Sequence, residues 1–437
     1  MMNFKQLFSQ ALQAGISDVQ VFLSGSKEMN IESYEGKLDR YEISDVSGLS
    51  IKGIYHGKLA NYYTENLNQP IAEIISNLIE NAKVIDSTDE PIIYAGDKEY
   101  AKADQLYNPK LDQVDVSDKI EKVKTLDNTL KNKDPRVMTV QALYAEGSRS
   151  VTLENTKGLK LSSKANAADL FAEVIVKNDV DQRNQFDLIH SSDPADLEIE
   201  PFATNLVQNT LRSLGAKPIA TGEYAIVFNP TAFSLLVSAF QGIFHADNVQ
   251  KNLSLLKGKL GEKIGSDQIS IVDDPLLRHS MRSRPFDDEG VATTYKELVK
   301  NGMLNTYLYN LVSAKKDNVS STGNGFGGST SALNLVVKAG NRTPEQLMID
   351  VDNGLYITEL QGTHAGCDSI SGDFSLQASG FVIKNGELAE PVALITVAGN
   401  FLGLMKDVVE VANDTKLTYV GVMSPSVRVR PQKVSGL

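Results

Sequence analysis

The sequence predicts an α+β chain in two parts: a mixed N-terminal domain over residues 1–195 and a C-terminal, predominantly β domain over 220–437. Three observations lead there. Helical and strand periodicities alternate up to about residue 187. The segment SSDPA (191–195) then breaks the pattern, and a connecting helix is expected over 196–219. Beyond it, one kinked helical region precedes strand-like, glycine-rich runs that continue to the end, as a barrel-like or folded sheet requires.

In chain order, Phe4, Leu7, Phe8 and Leu12 share one face of an amphipathic N-terminal helix. Asp18 to Leu23 and Gly48 to Tyr55 have the alternation or apolar runs of strands. Gln69 to Ala82 places Ile71, Ile74, Ile75 and Ile79 at helical spacing. Residues 86–115, rich in Asp, Pro and Tyr, read as a long connection, and Val116 to Leu130 as a helix. Strands are expected within Val137–Tyr144 and Ala168–Val176, punctuated by Gly147 and Gly158. In the second part, a helical region over 231–258 sets Phe233, Leu236, Val237, Phe240, Ile243 and Phe244 on one stripe. Val249, Leu253 and Leu256 fall about half a turn away, so one straight helix could not bury both sets. A break at Phe244 to Asp247 resolves the conflict, with His245 inside it. Leu333 to Val337, Leu355 to Leu360, Gly380 to Ile383, Val392 to Val397 and Thr418 to Val422 read as strands. The tail SVRVRPQK (426–433) reads as a terminal strand.

Composition excludes several classes. The balance of 43 basic against 55 acidic residues, a net −12, opposes the phosphate contacts of nucleic-acid binding. Cys367 is the single cysteine, so no intrachain disulfide can form; this fits a reducing compartment, and a cytoplasmic location is the expectation. No run approaches the ~20 apolar residues that span a bilayer, and the N-terminus lacks the apolar core of a signal peptide. P-loop, G-x-S-x-G, H-E-x-x-H and C-x-x-C motifs are missing. Gly323, Gly325 and Gly328 satisfy G-x-G-x-x-G, but between a polar run and a strand rather than between a strand and a helix. A loop or cleft wall, not a dinucleotide site, is expected.

Among residues able to carry chemistry, His245 at a helix break suits a metal ligand, a base or a hydrogen-bonded structural residue. His364 and Cys367 form H-x-x-C beside Asp368 and Asp373. A metal site joining them to His245 is conceivable, although a packing cysteine and a structural histidine are the expectation. Asp287, Asp288 and Glu289 suit a cation or a peptide amine, or more simply a turn before a strand.

The blocks FHADNVQKNLSLLKGKLGEKIGS, PFDDEGVATT, SSTGNGFGG, LQGTHAGCDSISGDFSLQASGF and TVAGNFLGLMKDV, in this order, closely resemble the TldD/PmbA peptidase family, and within it the PmbA (TldE) branch. The resemblance covers most of residues 220–410. In the TldD branch an H-E-x-x-x-H motif provides two zinc-ligand histidines and a general-base glutamate, and a cysteine nearer the C-terminus completes the site. Here the first histidine position is His245, the glutamate position is Ala246 and the second histidine position is Gln250. The block TVAGNFLGLMKDV has no cysteine, and Cys367 lies in a different block. Alanine accepts no proton and an amide is a poor zinc ligand. The resemblance therefore implies a non-metal subunit that associates in pairs and works with a TldD-type chain carrying the zinc, on unfolded or extended peptides. No catalytic residue and no metal ligand is assigned to this chain. His245, Asp247, Gln250, Asn324, His364, Cys367 and Asp373 are expected to line a substrate cleft or an interface. Two alternatives stay open: a self-sufficient hydrolase with an atypical metal site from His245, His364 and Cys367, and a regulatory binding protein acting on gyrase or an antitoxin.

Overall fold

The computed structural model describes residues 2–86 and 89–437. The first half contains α1 (Phe4–Gln13), β1 (Ile16–Tyr34), β2 (Lys37–Tyr55), β3 (Lys58–Thr64), α2 (Ile71–Val84), α3 (Val116–Asn132), β4 (Val137–Asn155), β5 (Lys160–Lys177), β6 (Gln182–Ser191) and α4 (Ile199–Arg212). Its strands form one antiparallel sheet in the order β3-β2-β1-β4-β5-β6. All four helices lie on one face. Leu7 and Ala11 of α1 and Ile74, Ile75 and Leu78 of α2 bury against Val19, Val21, Leu49 and Ile51. Val123, Leu126 and Leu130 of α3 pack with Phe202, Ala203, Leu206 and Val207 of α4 over Ile31, Tyr144 and Leu170. α4 thus packs into the core of the first half, within the stretch read as a connecting helix. Strand pleating sends Phe22, Val151 and Leu153 to the opposite face, where Phe286 from the second half covers them.

The second half begins with β7 (Gly222–Phe228), α5 (Pro230–Phe240), α6 (Ala246–Gln250), β8 (Ile271–Asp273), β9 (Lys296–Lys300), β10 (Met303–Leu304), α7 (Leu311–Asp317), β11 (Gly325–Phe326), β12 (Ser329–Thr330) and β13 (Leu335–Val337). It continues with α8 (Pro344–Ile349), β14 (Asn353–Gln361), α9 (Thr363–Gly366), β15 (Asp373–Lys384), β16 (Glu387–Asn400), α10 (Phe401–Lys406), β17 (Val408–Val411), β18 (Lys416–Leu417), β19 (Val422–Ser424) and β20 (Val427–Ser435). The order β16-β15-β14-β7-β20 closes on itself because β16 also pairs with β20. The expected barrel-like sheet is therefore a closed barrel, and closure removes edges that would otherwise stay unpaired. The tail strand is not a free terminus: β20 lies in the barrel wall between β7 and β16. α5 packs into the barrel's core with Phe233, Leu236, Val237 and Phe240, all fully buried. A second sheet, β10-β9-β8-β13-β19-β18, shares that core.

Two sequence readings need correction. Helix ends at Gln250, not near 258, because Asn252 takes a left-handed φ of 62° that stops propagation, and Leu253 is exposed. Thr418 to Val422 is a tight turn between β18 and β19: Gly421 has φ 74° and the Thr418 N–H donates to the Val422 carbonyl.

Two histidines join the halves. His190, at the end of β6, places Nδ1 2.5 Å from Asp169 Oδ1 and Nε2 2.6 Å from the His279 carbonyl oxygen. Both partners only accept, so both ring nitrogens donate and the ring is charged. Burial opposes that charge, but Asp169 and the carbonyl outweigh it and raise the pKa. His279 takes the opposite role, since its Nδ1 accepts the Ser192 N–H at 3.0 Å and must be unprotonated. Burial, then Arg278, lowers its pKa, with Asp196 and Asp193 opposing. The stability from His190 is complete below the ordinary histidine pKa of about 6.5 and is lost as pH rises through its raised value. That from His279 is complete above about 6.5 and is lost as pH falls through its depressed value. Urea midpoints measured against pH are expected to decline on both sides, with His190→Gln flattening the alkaline limb alone.

No helix among the described residues is long and apolar enough to cross a membrane.

Candidate functional site

The site grows from the break after α5. The chain tightens into a 3₁₀ turn over Gln241–Phe244 and then leaves helical geometry at His245, whose φ −79° and ψ 121° are extended. The two conflicting apolar stripes are the cause: Phe240, Ile243 and Phe244 stay in the core while α6 restarts in a new direction that buries Val249. The expected break is where the sequence placed it. The Ala246 N–H donates to the Leu308 carbonyl, and the Leu308 N–H to the Phe244 carbonyl, pinning the bend to the segment before α7.

Around this bend lies a buried polar network. Asp273 is fully buried. Its Oδ1 accepts the N–H groups of Leu333 and Asn334 at 2.9 Å each. Its Oδ2 accepts from the Asn324 amide at 2.8 Å and faces Lys296 Nζ at 3.3 Å. Burial pushes the Lys296 ammonium pKa down, with Asp273 opposing. Asn324 also donates to the Ser331 carbonyl, which fixes the β11–β12 hairpin. His245 stands within the field of Asp247 and Asp273, but burial dominates and lowers its pKa, so the ring is neutral at neutral pH. Its Nε2 and Asp247 Oδ1 are buried without a hydrogen-bond partner among the described residues, as is Thr330 Oγ1 on the neighbouring hairpin.

The acidic triplet is a clamp. Asp287 accepts from the N–H groups of Glu289, Val291 and Gly325, which ties the 287–291 turn to the hairpin. Burial, then Glu289, pushes its pKa up to about 7. Glu289 accepts the Leu311 N–H, and its pKa is raised by burial. It borders a cavity of about 190 Å³ between the halves, lined also by Gln20, Lys52, Lys58 and Val312. The turn reading of the triplet holds. Two glycines of G-x-G-x-x-G serve this packing: Gly323 has φ 70° and a Cβ there would lie 2.5 Å from the Ala292 carbonyl, while one on Gly325 would strike Glu289; Gly328 sits in open space with φ 83°. No helix follows them.

His245, Asp247 and Asn324 share this neighbourhood, while Gln250, at the end of α6, donates its amide to the Ser313 carbonyl of α7 at 2.8 Å. His364 lies on α9, Cys367 follows it and bridges to Phe374, and Asp373 opens β15. His364 is exposed, and Cys367 is half-buried against the barrel core, its thiol pKa raised by burial. Asp373 accepts from the Asn400 amide. No hydrogen bond or ion pair among the described residues joins the side chains of these three to His245, Asp247, Gln250 or Asn324. Nor do any three His, Cys, Asp or Glu side chains among them gather as metal ligands.

A zinc centre needs several convergent imidazole, thiolate or carboxylate donors. The bend offers one imidazole and the Asp247 carboxylate, while the Gln250 amide is committed to the Ser313 carbonyl and Ala246 carries no donor atom.

Sequence reasoning missed Asp273 and Lys296. A signal existed: an aspartate closing the apolar run Ile269 to Val272 has to be paired if that run is a core strand.

Family models match over most of the chain: the PmbA/TldA metallopeptidase central domain over residues 109–214 and the C-terminal domain over 221–436. The chain is 25% identical over 433 residues to the metalloprotease PmbA of Escherichia coli O157:H7, covering 97% of this chain and 94% of that one. A crystal structure from Thermotoga maritima, named as a candidate modulator of a DNA gyrase, superposes with a TM-score of 0.93 at 34% identity, covering 99% of both chains. TldE from Thermococcus kodakarensis superposes at 0.91 with 22% identity, covering 99% of this chain and 100% of that one, which speaks to fold alone.

Proposed function

The chain belongs to the PmbA/TldD metallopeptidase family, and on that premise we propose that it is the subunit without metal in a two-chain peptidase. Its partner is a TldD-type chain, and its substrates are unfolded or extended peptides. The observation that carries this reading is the bend at His245. The backbone scaffold of a ligand helix is present, yet the proton-acceptor position is Ala246 and the second imidazole position is Gln250, held by Ser313. Zinc bound to the partner would supply water activation. In this chain, the neutral His245 ring, Asp247 and the Asn324 hairpin offer hydrogen-bonding groups in a largely buried setting, suited to holding a peptide backbone or a partner surface rather than to hydrolysis.

The test is reconstitution with the cognate TldD-type chain, measuring cleavage of an unfolded peptide by each chain alone and by the mixture. Cleavage by the mixture alone is expected; a partner equally active without this chain would refute the reading. In the same assay His245→Ala is expected to lower the rate of the complex by less than about tenfold, or about 1.4 kcal/mol of barrier. Mutation of the partner's own zinc ligands should abolish cleavage. Equal, complete loss from His245→Ala would place the chemistry in this chain.

A further inference from the structure

In a chain of net charge −12, one place gathers cations without matching anions. The segment LLRHSMRSRPF (276–286) carries Arg278, Arg282 and Arg284, and Arg149 of β4 reaches it from the sheet face opposite the helices. Arg149 Nη2 lies 3.5 Å from the Arg282 carbonyl oxygen and 3.4 Å from that of Ser283, contacts too long to be strong. Arg284 is 4% exposed, with its guanidinium 5.5 Å from the Phe22 ring centre and 4.7 Å from that of Phe326. Asp288 pairs with it and also accepts the Gly327 N–H at 2.8 Å, so this carboxylate is fully engaged. Even so, Arg284 Nε is buried without a hydrogen-bond partner. Arg282 is exposed and touches only the Ala332 carbonyl, at 3.4 Å. Among the described residues neither Arg149 nor Arg282 has an ion-pair partner. Burial, then the like charge of Arg284, pushes the Arg149 pKa down to about 10, with Asp288 opposing and Arg282 adding to the fall. The three guanidinium groups thus lie within one another's field.

We infer that Arg149 and Arg282 form a binding site for a carboxylate of a peptide, either the chain terminus or an Asp or Glu side chain. Like charges held together repel unless an anion neutralises them, and nothing in the chain does so for these two. A guanidinium is a planar fork of N–H donors that matches the two oxygens of a carboxylate. Ser26, the register partner of Arg149 on the same face of the sheet, adds a hydroxyl beside them. Nucleic acid is a poor occupant, since a polyanion would meet the acidic remainder of the chain. The β11–β12 hairpin connects this site to the bend at His245. Its Phe326 stacks on Arg284, its Asn324 is anchored on Asp273, and β12 packs against α6. The inference rests on the peptide reading of that bend and names what in the peptide this chain selects.

Fluorescence anisotropy of the full chain, without a partner, tests this with labelled unstructured peptides of Gly, Ala and Ser. One peptide carries a single Glu and a free C-terminus; the others have the terminus amidated, the Glu replaced by Gln, or both. Losing both carboxylates should weaken binding at least about tenfold, and whichever single carboxylate restores it identifies the source. Arg282→Gln should weaken the fully acidic peptide at least about fivefold and leave the uncharged one unchanged. Arg149→Gln should do the same. Arg282→Lys, which keeps the charge and loses the fork, should recover only part. Arg282 is exposed, so its variants keep the fold, which circular dichroism verifies. Equal affinity for charged and uncharged peptides, or no effect of Arg282→Gln, would overturn the inference. So would inorganic phosphate that binds more tightly than the acidic peptide, read by displacement. Because no cleavage is measured, the two readings fail separately. Carboxylate-dependent binding by a chain that adds nothing to cleavage refutes the peptidase subunit alone, whereas cleavage by the mixture without carboxylate discrimination in binding refutes this site alone.

Discussion

Asp273→Ala is expected to cost about 3–5 kcal/mol of folding stability, a large share of the 5–15 kcal/mol typical of a domain. The carboxylate is fully buried and answers four donors: two backbone N–H groups, the Asn324 amide and the Lys296 ammonium. Alanine would leave an ammonium that is only 7% exposed without its counter-charge, and the hairpin carrying Gly323 to Thr330 without its anchor. A buried charge deprived of its partner costs more than the pair contributed, because desolvation is then uncompensated. Guanidinium unfolding of the isolated chain measures the loss. Lys296→Met paired with Asp273→Asn should recover part of it, since the unpaired charge is then gone. A midpoint unchanged by Asp273→Ala would show that water reaches Lys296 and that the network is not sealed.

Phe240→Ala should be of similar size, about 3–5 kcal/mol. Phe240 is fully buried and stacks on Phe401 with ring centroids 4.5 Å apart and planes at 18°. It is also the last residue of α5 before the chain bends toward His245. Removing the ring opens a cavity where α5 meets α10 and the barrel, and the dense surroundings cannot collapse to fill it. The same denaturation assay reads the loss. Phe240→Leu, which keeps most of the volume, should cost clearly less, and equal losses would argue against a cavity effect.

Much of the architecture is legible in residue order because it follows local rules. The isoleucines at 71, 74, 75 and 79 predict α2; the helix is observed, with Ile74 and Ile75 buried, Ile71 and Ile79 half-buried, and Leu78, which the reading did not name, buried beside them. The break at His245 is legible because two apolar stripes at incompatible angles cannot share a straight helix. Where tertiary context overrides local pattern, the reading fails. Thr418 to Val422 has strand-like residues, but Ser234 from α5 bonds the Thr418 hydroxyl, and the chain turns at Gly421 instead. The network around Asp273 is invisible locally because its members come from β8, β9, the β11–β12 hairpin and the residues before β13.

By itself the order of residues determined the α+β class, the bend that carries His245, and the alanine and glutamine at the two positions that the family resemblance aligns with a proton acceptor and a second imidazole. These are matters of periodicity and of side-chain chemistry at neighbouring positions, which need no third dimension. Only the folded chain decided that the strands after 220 close into a barrel, and that Asp273, Lys296 and Asn324 meet in one buried network. It alone showed that, among the described residues, β3 covers β2 only from Leu49 to Tyr55. Closure, grouping and exposure depend on which distant segments meet, and that is set by burial summed over the whole molecule rather than by any local run.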